Sequence, residues 1–165
     1  MKIYLDMDGV LTDFEKRYNE LFGIKPEEVT ARTAHFWRNF EPFIEGGNFR
    51  TLDKHPHADQ LLQFVHEMRV PVEILTSSGG DKHHERVSAD KIEWLCNNGI
   101  PYKANIVPGG SKKALLAQPW HILVDDTLHV VEKYRVAGGT AILHYDIDET
   151  LKELARLHLE WQGGE

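Results

Sequence analysis

The stretch Lys2-Ile3-Tyr4-Leu5-Asp6-Met7-Asp8-Gly9-Val10-Leu11-Thr12-Asp13-Phe14 constrains the fold more than any other part of the chain. Ile3 to Leu5 reads as an apolar strand, and it runs directly into two carboxylates one residue apart. Side chains alternate along a strand, so Asp6 and Asp8 share one side while Met7 takes the other. Gly9 then permits a sharp backbone turn that a Cβ would resist. Two acids this close repel each other unless a cation lies between them or one keeps its proton. Both states suit phosphate chemistry. A hard cation such as Mg2+ prefers carboxylate oxygens and bridges to substrate phosphate. An ionised Asp can attack phosphorus while its protonated neighbour donates to the leaving oxygen. A solvated acidic turn would account for a bare Asp-x-Asp. Here the strand, the glycine and a following helical pattern accompany it.

Beyond Asp13, which can cap a helix, Phe14 to Phe22 carries a helical pattern that Gly23 ends. Pro26 opens a short helix, Thr33 to Phe40 reads as another, and Pro42 with Gly46-Gly47 breaks the chain. None of this reads as strand, so residues 13–54 are expected to form a small helical cap inserted after the first strand. Residues 1–12 and 55–165 then form the core. In that core, helix Ala58 to Met68 precedes strand Val72 to Leu75, and helix Val87 to Cys96 precedes strand Asn105 to Val107. Ser111 can cap a helix Lys112 to Ala117 before strand His121 to Val124. Helix Leu128 to Val136, strand Thr140 to His144 and a last helix capped by Asp148 complete the chain. Strands alternating with helices predict an α/β, Rossmann-like fold: a parallel five-stranded sheet with helices on both faces. In open sheets of this kind the site lies beyond the carboxyl ends of the strands. Asp6/Asp8, Thr76/Ser77 and Asp125/Asp126 each directly follow the apolar part of a strand.

The segment around Asp6 and Asp8 resembles the first motif of the haloacid dehalogenase-like phosphohydrolases. The resemblance implies that Asp6 is the nucleophile and forms an aspartyl-phosphate. It implies that Asp8 is the general acid and then the general base, with its backbone carbonyl on a metal ion. Ile74-Leu75-Thr76-Ser77-Ser78 is similar to the second motif, where a hydroxyl and the following backbone N–H groups can bind phosphate oxygens. The third motif is a lysine that neutralises phosphate charge. Lys112 and Lys113 both follow Ser111, and Lys112 fits the family spacing better. A cation at a helix N-terminus works against the helix dipole, which favours a functional reason for it. His121 to Thr127 is similar to the fourth motif, whose paired acids complete an oxygen-rich Mg2+ site. The resemblance favours Asp126 as a direct ligand, with Asp125 ligating through water or orienting Lys112.

Three further features resemble the 5′(3′)-deoxyribonucleotidases: Asp6-Met-Asp-Gly-Val-Leu-x-Asp-Phe-Glu, the pair Phe36-Trp37, and Asp90-Lys91-Ile92-Glu93-Trp94-Leu95. The resemblance implies that Phe14 and aromatics such as Trp37 hold a nucleobase, and that Lys91 helps bind phosphate; Ser77 is a further substrate-binding candidate. Phe36, Trp37, Phe40 and Phe43 could equally form the core of the helical segment. The implied activity is that of a Mg2+-dependent phosphoric monoester hydrolase acting on nucleoside monophosphates. The alternatives are hydrolysis of a sugar phosphate or a polynucleotide end, and a non-enzymatic phospho-acceptor module.

Composition sets the remaining bounds. The formal charge of −7 over 165 residues speaks against a broad electrostatic grip on long nucleic acid or acidic lipid. One cysteine, Cys96, excludes an internal disulfide framework and fits a reducing, cytoplasmic setting. Asp6 and Asp8 interrupt the N-terminal apolar run, so no signal peptide is expected. No stretch approaches the roughly 20 apolar residues of a membrane span. The ten histidines show no zinc-ligand spacing and are expected at the surface.

Overall fold

The structure, a computed structural model, describes residues 1–164. Strands β1 (Lys2–Leu5), β2 (Val72–Ser77), β3 (Ala104–Val107), β4 (His121–Asp125) and β5 (Thr140–Leu143) form one sheet in the order β3-β2-β1-β4-β5. Every neighbouring pair is parallel, as the alternating elements require. The α-helices are α1 (Phe14–Phe22), α2 (Pro26–Thr30), α3 (Ala34–Glu45), α4 (Ala58–Glu67), α5 (His84–Asn97), α6 (Leu128–Val136) and α7 (Ile147–Gly163).

Strand alternation distributes the apolar residues to two cores. Ile3, Leu5, Ile74, Ile122 and Val124 pack on one face with residues of α4, α5 and α7. Tyr4, Leu75 and Leu123 pack on the other, against Val130, Val131 and Tyr134 of α6. A strand covered on both faces can be apolar at consecutive positions, which is how Ile3-Tyr4-Leu5 reads. β1 is central, with β2 on one side and β4 on the other, so the direction of strand addition reverses there. Such a reversal opens a crevice beyond the carboxyl ends of the strands.

Between β1 and β2, helices α1 to α3 and a 3-10 helix, Asn48–Thr51, form a helical segment without a strand. Its two ends are stitched together beside Asp8. Thr12 bridges Lys54, the Asp13 N–H donates to the Asp53 carbonyl at 2.9 Å, and the His55 N–H donates to the Leu11 carbonyl at 2.8 Å. Phe14, Tyr18, Phe36, Phe43 and Phe49 fill its interior and join the core below.

Local expectations fail at Pro42, at the start of α7 and after Gly109, and Asp13 precedes α1 without a side-chain cap hydrogen bond. Pro42 lies inside α3 instead of ending it. Phe43 and Ile44, just beyond it, are fully buried; burying two such side chains contributes about 3–6 kcal/mol, enough to offset the ~3 kcal/mol cost of an internal proline. Helix α7 is capped by Asp146, whose carboxylate accepts the Glu149 N–H at 3.0 Å, and Asp148 lies in its first turn. The segment after Gly109 is a 3-10 helix, Gly110–Leu116, and not an α-helix from Lys112. With three residues per turn in place of 3.6, the side chains of Lys112 and Lys113 point elsewhere than an α-helix would send them.

Candidate active site

The site forms where β1, β2 and β4 end. Leu5 pairs with Ile74 and with Val124, so the acids that follow Leu5 and Val124 emerge side by side. The Asp6 N–H extends the pairing by donating to the Val124 carbonyl at 3.0 Å. Lys113 joins the two strands at this edge: its Nζ lies 2.8 Å from Asp6 Oδ1 and 2.6 Å from Asp125 Oδ2. All three side chains are buried. Burial favours neutral lysine, but the Asp125 and Asp6 charges outweigh it and hold Lys113 protonated beyond its ordinary range. Asp125 is raised above the usual carboxylate range by burial, against the pull of Lys113, and its Oδ1 accepts the Thr127 N–H at 2.9 Å.

Asp126 has no such cation. It is raised well above the usual range, first by burial and then by the charges of Asp6 and Asp125. Its Oδ1 accepts the Thr127 hydroxyl at 3.1 Å. It fits only because residue 9 is glycine: a Cβ there would lie 1.9 Å from Asp126 Oδ2, and Gly9 has φ +79°. Asp6, Asp125 and Asp126 each offer an oxygen, all within 4.8 Å of one another. Three hard ligands with one carboxylate uncompensated are what Mg2+ takes at metal–oxygen distances of about 2.0–2.1 Å. The residues therefore fit the ion.

The Asp8 side chain stands apart from that cluster. Its Oδ1 accepts the Thr12 hydroxyl at 3.0 Å and its Oδ2 accepts Lys91 Nζ at 2.7 Å. Lys91, on α5, is buried and also donates to Thr76 Oγ1 at 2.8 Å and to the Ser77 carbonyl at 2.9 Å. Its three N–H bonds are thus committed, and its ammonium lies 5.1 Å from the Phe49 ring centre. Ser77 Oγ accepts the Gly79 N–H at 3.0 Å, which shapes the loop after β2.

The acids open into a cleft of about 200 Å³. Asp6, Asp8, Ser77 and Lys113 line its floor, and Phe14, Phe36, Trp37, Phe40 and Phe49 form an aromatic wall. The wall is pressed against the core. Gly79 touches the Phe40 ring so closely that a Cβ would lie 2.3 Å from it. Lys82 Nζ bonds Glu41 at 2.9 Å, and Arg86 bonds the Glu45 carbonyl at 3.0 Å.

A family model for "5′ nucleotidase, deoxy (pyrimidine), cytosolic type C protein (NT5C)" matches residues 1–165, the whole chain. The chain belongs to this nucleotidase family. It is accordingly a haloacid dehalogenase-like enzyme that hydrolyses phosphoric monoesters, as its motifs imply. A hydrolase from Streptococcus pneumoniae TIGR4 shares the nucleotidase fold, with TM-score 0.58 at 16% identity, over 93% of this chain and 97% of that one. The HAD domain of effector protein Lem4 from Legionella pneumophila matches at TM-score 0.46 and 15% identity, over 93% of this chain and 92% of that one. No curated protein matches the sequence. No helix among the described residues is long and apolar enough to cross a membrane.

The nucleotidase brings Asp6, Asp8, Thr76, Ser77, Asp125 and Asp126 to one strand edge, as their positions after apolar strands led us to expect, and α5 adds Lys91. Phe14 and Trp37 both line the cleft, Phe14 buried and Trp37 48% exposed. Phe43 serves the core alone. The preference for Lys112 is corrected: its Nζ lies 4.0 Å from exposed Asp81 and faces away, while Lys113 faces the acids. The 3-10 turn is the reason. Lys91 is placed against Asp8 and Thr76, deeper than a direct phosphate contact requires. Arg32, Thr127, His129 and the pair Gly109-Gly110 line the cleft without a signal in the sequence. Thr127 adjoins Asp126 and could have been suspected; Arg32 sits among ordinary helix-joining residues.

On the far side of Gly9 and Asp126, His55, His57 and His144 line a second hollow with Asp13. His144 is buried rather than at the surface, its Nδ1 2.7 Å from Thr150 Oγ1. Burial, then the neighbouring His55 and His57, lower it to about 4.

Proposed function

We propose that this nucleotidase is a Mg2+-dependent phosphatase of the cytoplasm that releases phosphate from deoxy- or ribonucleoside monophosphates through an aspartyl-phosphate on Asp6. The observation that carries the reading is the pairing of two differently held acids. Asp6 is fixed by Lys113 at the cleft floor, and Asp8, two residues on, is fixed by Thr12 and Lys91. One carboxylate is positioned to attack and the other to exchange protons.

In the first step an Asp6 carboxylate oxygen bonds to phosphorus as the ester P–O bond breaks, and Asp8 gives its proton to the leaving oxygen. In the second, Asp8 takes a proton from water as the water oxygen bonds to phosphorus. The acyl-phosphate bond then breaks, and inorganic phosphate and free Asp6 result. Lys113 and the Thr76 hydroxyl stabilise charge on the phosphoryl oxygens. Asp6, Asp125, Asp126 and the Asp8 main-chain carbonyl would hold Mg2+, which supplies charge neutralisation between nucleophile and phosphate. Residues 13–54 act as a cap that shuts out bulk water. The aromatic wall of Phe14, Trp37, Phe40 and Phe49 suits a flat base, whose stacking contributes about 1–3 kcal/mol.

Phosphate release from deoxy- and ribonucleoside monophosphates, a sugar phosphate and a 5′-phosphorylated oligonucleotide tests this reading. Mg2+-dependent turnover of the mononucleotides, nearly abolished by Asp6→Asn, is expected. Undiminished turnover in Asp6→Asn would remove the assigned nucleophile, and preference for another ester would remove the substrate class.

A further inference from the structure

Arg32 is the cleft cation that the chemistry above leaves unused. It lies on the cap, between α2 and α3, and lines the same cleft as Asp6, Asp8 and Lys113. Its guanidinium carbon sits 4.4 Å from the Phe36 ring centre and 5.4 Å from that of Phe14. Its Nη1 is closed off from solvent and meets no acceptor among the described residues. A buried donor left without a partner is costly, more so when it is charged. Arg32 also holds φ at +52°, in the left-handed region that residues with a Cβ seldom occupy. A sparsely populated backbone and an orphaned donor together at a cleft point to a residue placed for what it binds.

The other two cations at the site are largely engaged by its own groups, and at most one donor of Lys113 is left for the phosphoryl group. Lys91 spends its three N–H bonds on Asp8, Thr76 and Ser77. Lys113 spends two on Asp6 and Asp125. A phosphoryl group presents three oxygens to a cleft lined by three carboxylates, Asp6, Asp8 and Asp125, with Asp126 close behind them. A planar guanidinium is the donor that matches oxyanion geometry best, and it keeps its charge at any working pH. Arg32 is held over an aromatic surface that offers it no hydrogen-bond acceptor.

We propose that Arg32 is a phosphate-binding residue delivered by the cap, so that the phosphoryl group itself, and not the leaving group, draws cap and core together. The inference rests on phosphomonoester hydrolysis but not on which alcohol is released.

The test measures inorganic phosphate affinity by calorimetry with Mg2+ present, and kcat/KM on p-nitrophenyl phosphate and on nucleoside monophosphates. The variants are Arg32→Met, which keeps the apolar stem over Phe36, and Arg32→Lys, which keeps the charge. A charge-assisted hydrogen bond corresponds to about a 10- to 150-fold effect. Arg32→Met is expected to weaken phosphate within that range and to lower kcat/KM by a similar factor on every ester, base or no base. Arg32→Lys is expected to recover part of both, and urea midpoints show whether each variant is folded. Unchanged phosphate affinity in a folded Arg32→Met would overturn the proposal. So would a kcat/KM loss confined to esters carrying a base, which would make Arg32 a base reader. If p-nitrophenyl phosphate shows the loss while nucleotides are not substrates in the parent, the substrate class fails and the Arg32 assignment stands.

Discussion

Exchanging the two adjacent lysines separates the geometry from the spacing argument. In Lys113→Met, Asp6 and Asp125 lose the ammonium that lay 2.8 and 2.6 Å from them, and both remain buried. Removing one partner from a buried ionic cluster costs about 3–5 kcal/mol. For a chain of this length each kcal/mol moves the melting temperature by about 2–4 °C, so a fall of about 6–20 °C is expected. Lys112→Met removes only a 4.0 Å contact with an Asp81 side chain that is 86% exposed. A pair of that kind contributes about 0–1 kcal/mol. The Lys113→Met deficit should shrink on acidification. Burial and the Asp6 charge already raise Asp125 against the pull of Lys113. Without the lysine its folded value rises further above the unfolded one, so the folded variant binds the extra proton and gains stability as pH falls. Thermal and urea unfolding at pH 8 and pH 5.5, with phosphate release under Mg2+, give the readout. Activity should fall about 10²–10³-fold in Lys113→Met alone, the scale seen when one donor to developing charge is lost. Equal losses in the two variants, or a larger one in Lys112→Met, would refute the assignment of Lys113.

Gly9→Ala should disturb the metal site, because its Cβ would fall 1.9 Å from Asp126 Oδ2. A drop in Mg2+ affinity of about 10–100-fold by calorimetry is expected, whereas Gly23→Ala, also at positive φ but with nothing within 4 Å, should leave Mg2+ binding unchanged. His144 supplies a pH test. Its folded value of about 4 lies below its usual 6.5, so its contribution is intact above pH 6.5 and is lost as pH falls toward 4. At pH 5 the loss is about 2 kcal/mol. Urea unfolding of His144→Asn should therefore lose about that much less between pH 7 and pH 5 than the parent, and parallel pH profiles would rule the explanation out.

The order of strands and helices was legible because it rests on local pattern. Apolar runs bounded by turns gave the five strands within a residue or two, and a parallel sheet then required the acids after Leu5 and Val124 to meet at one edge. Helix boundaries set by burial were less legible. Pro42 reads as a break until Phe43 and Ile44 are seen to be buried beyond it. The same holds for histidines: His144 carries no mark that separates it from a surface residue, yet the hollow beneath Gly9 encloses it.

The sequence by itself determined which carboxylates and hydroxyls stand at the strand ends, since alternation and the glycine after Asp8 depend only on neighbours in the chain. Only the tertiary structure decided which cations answer them. A 3-10 turn, set by packing against α6, aims Lys113 and not Lys112 at Asp6, and α5 brings Lys91 under Asp8. The fold of the helical segment between β1 and β2 leaves Arg32 lining the cleft with a donor unspent. A long side chain takes its bearing from the backbone and the partners around it, and those are fixed only when distant segments have packed.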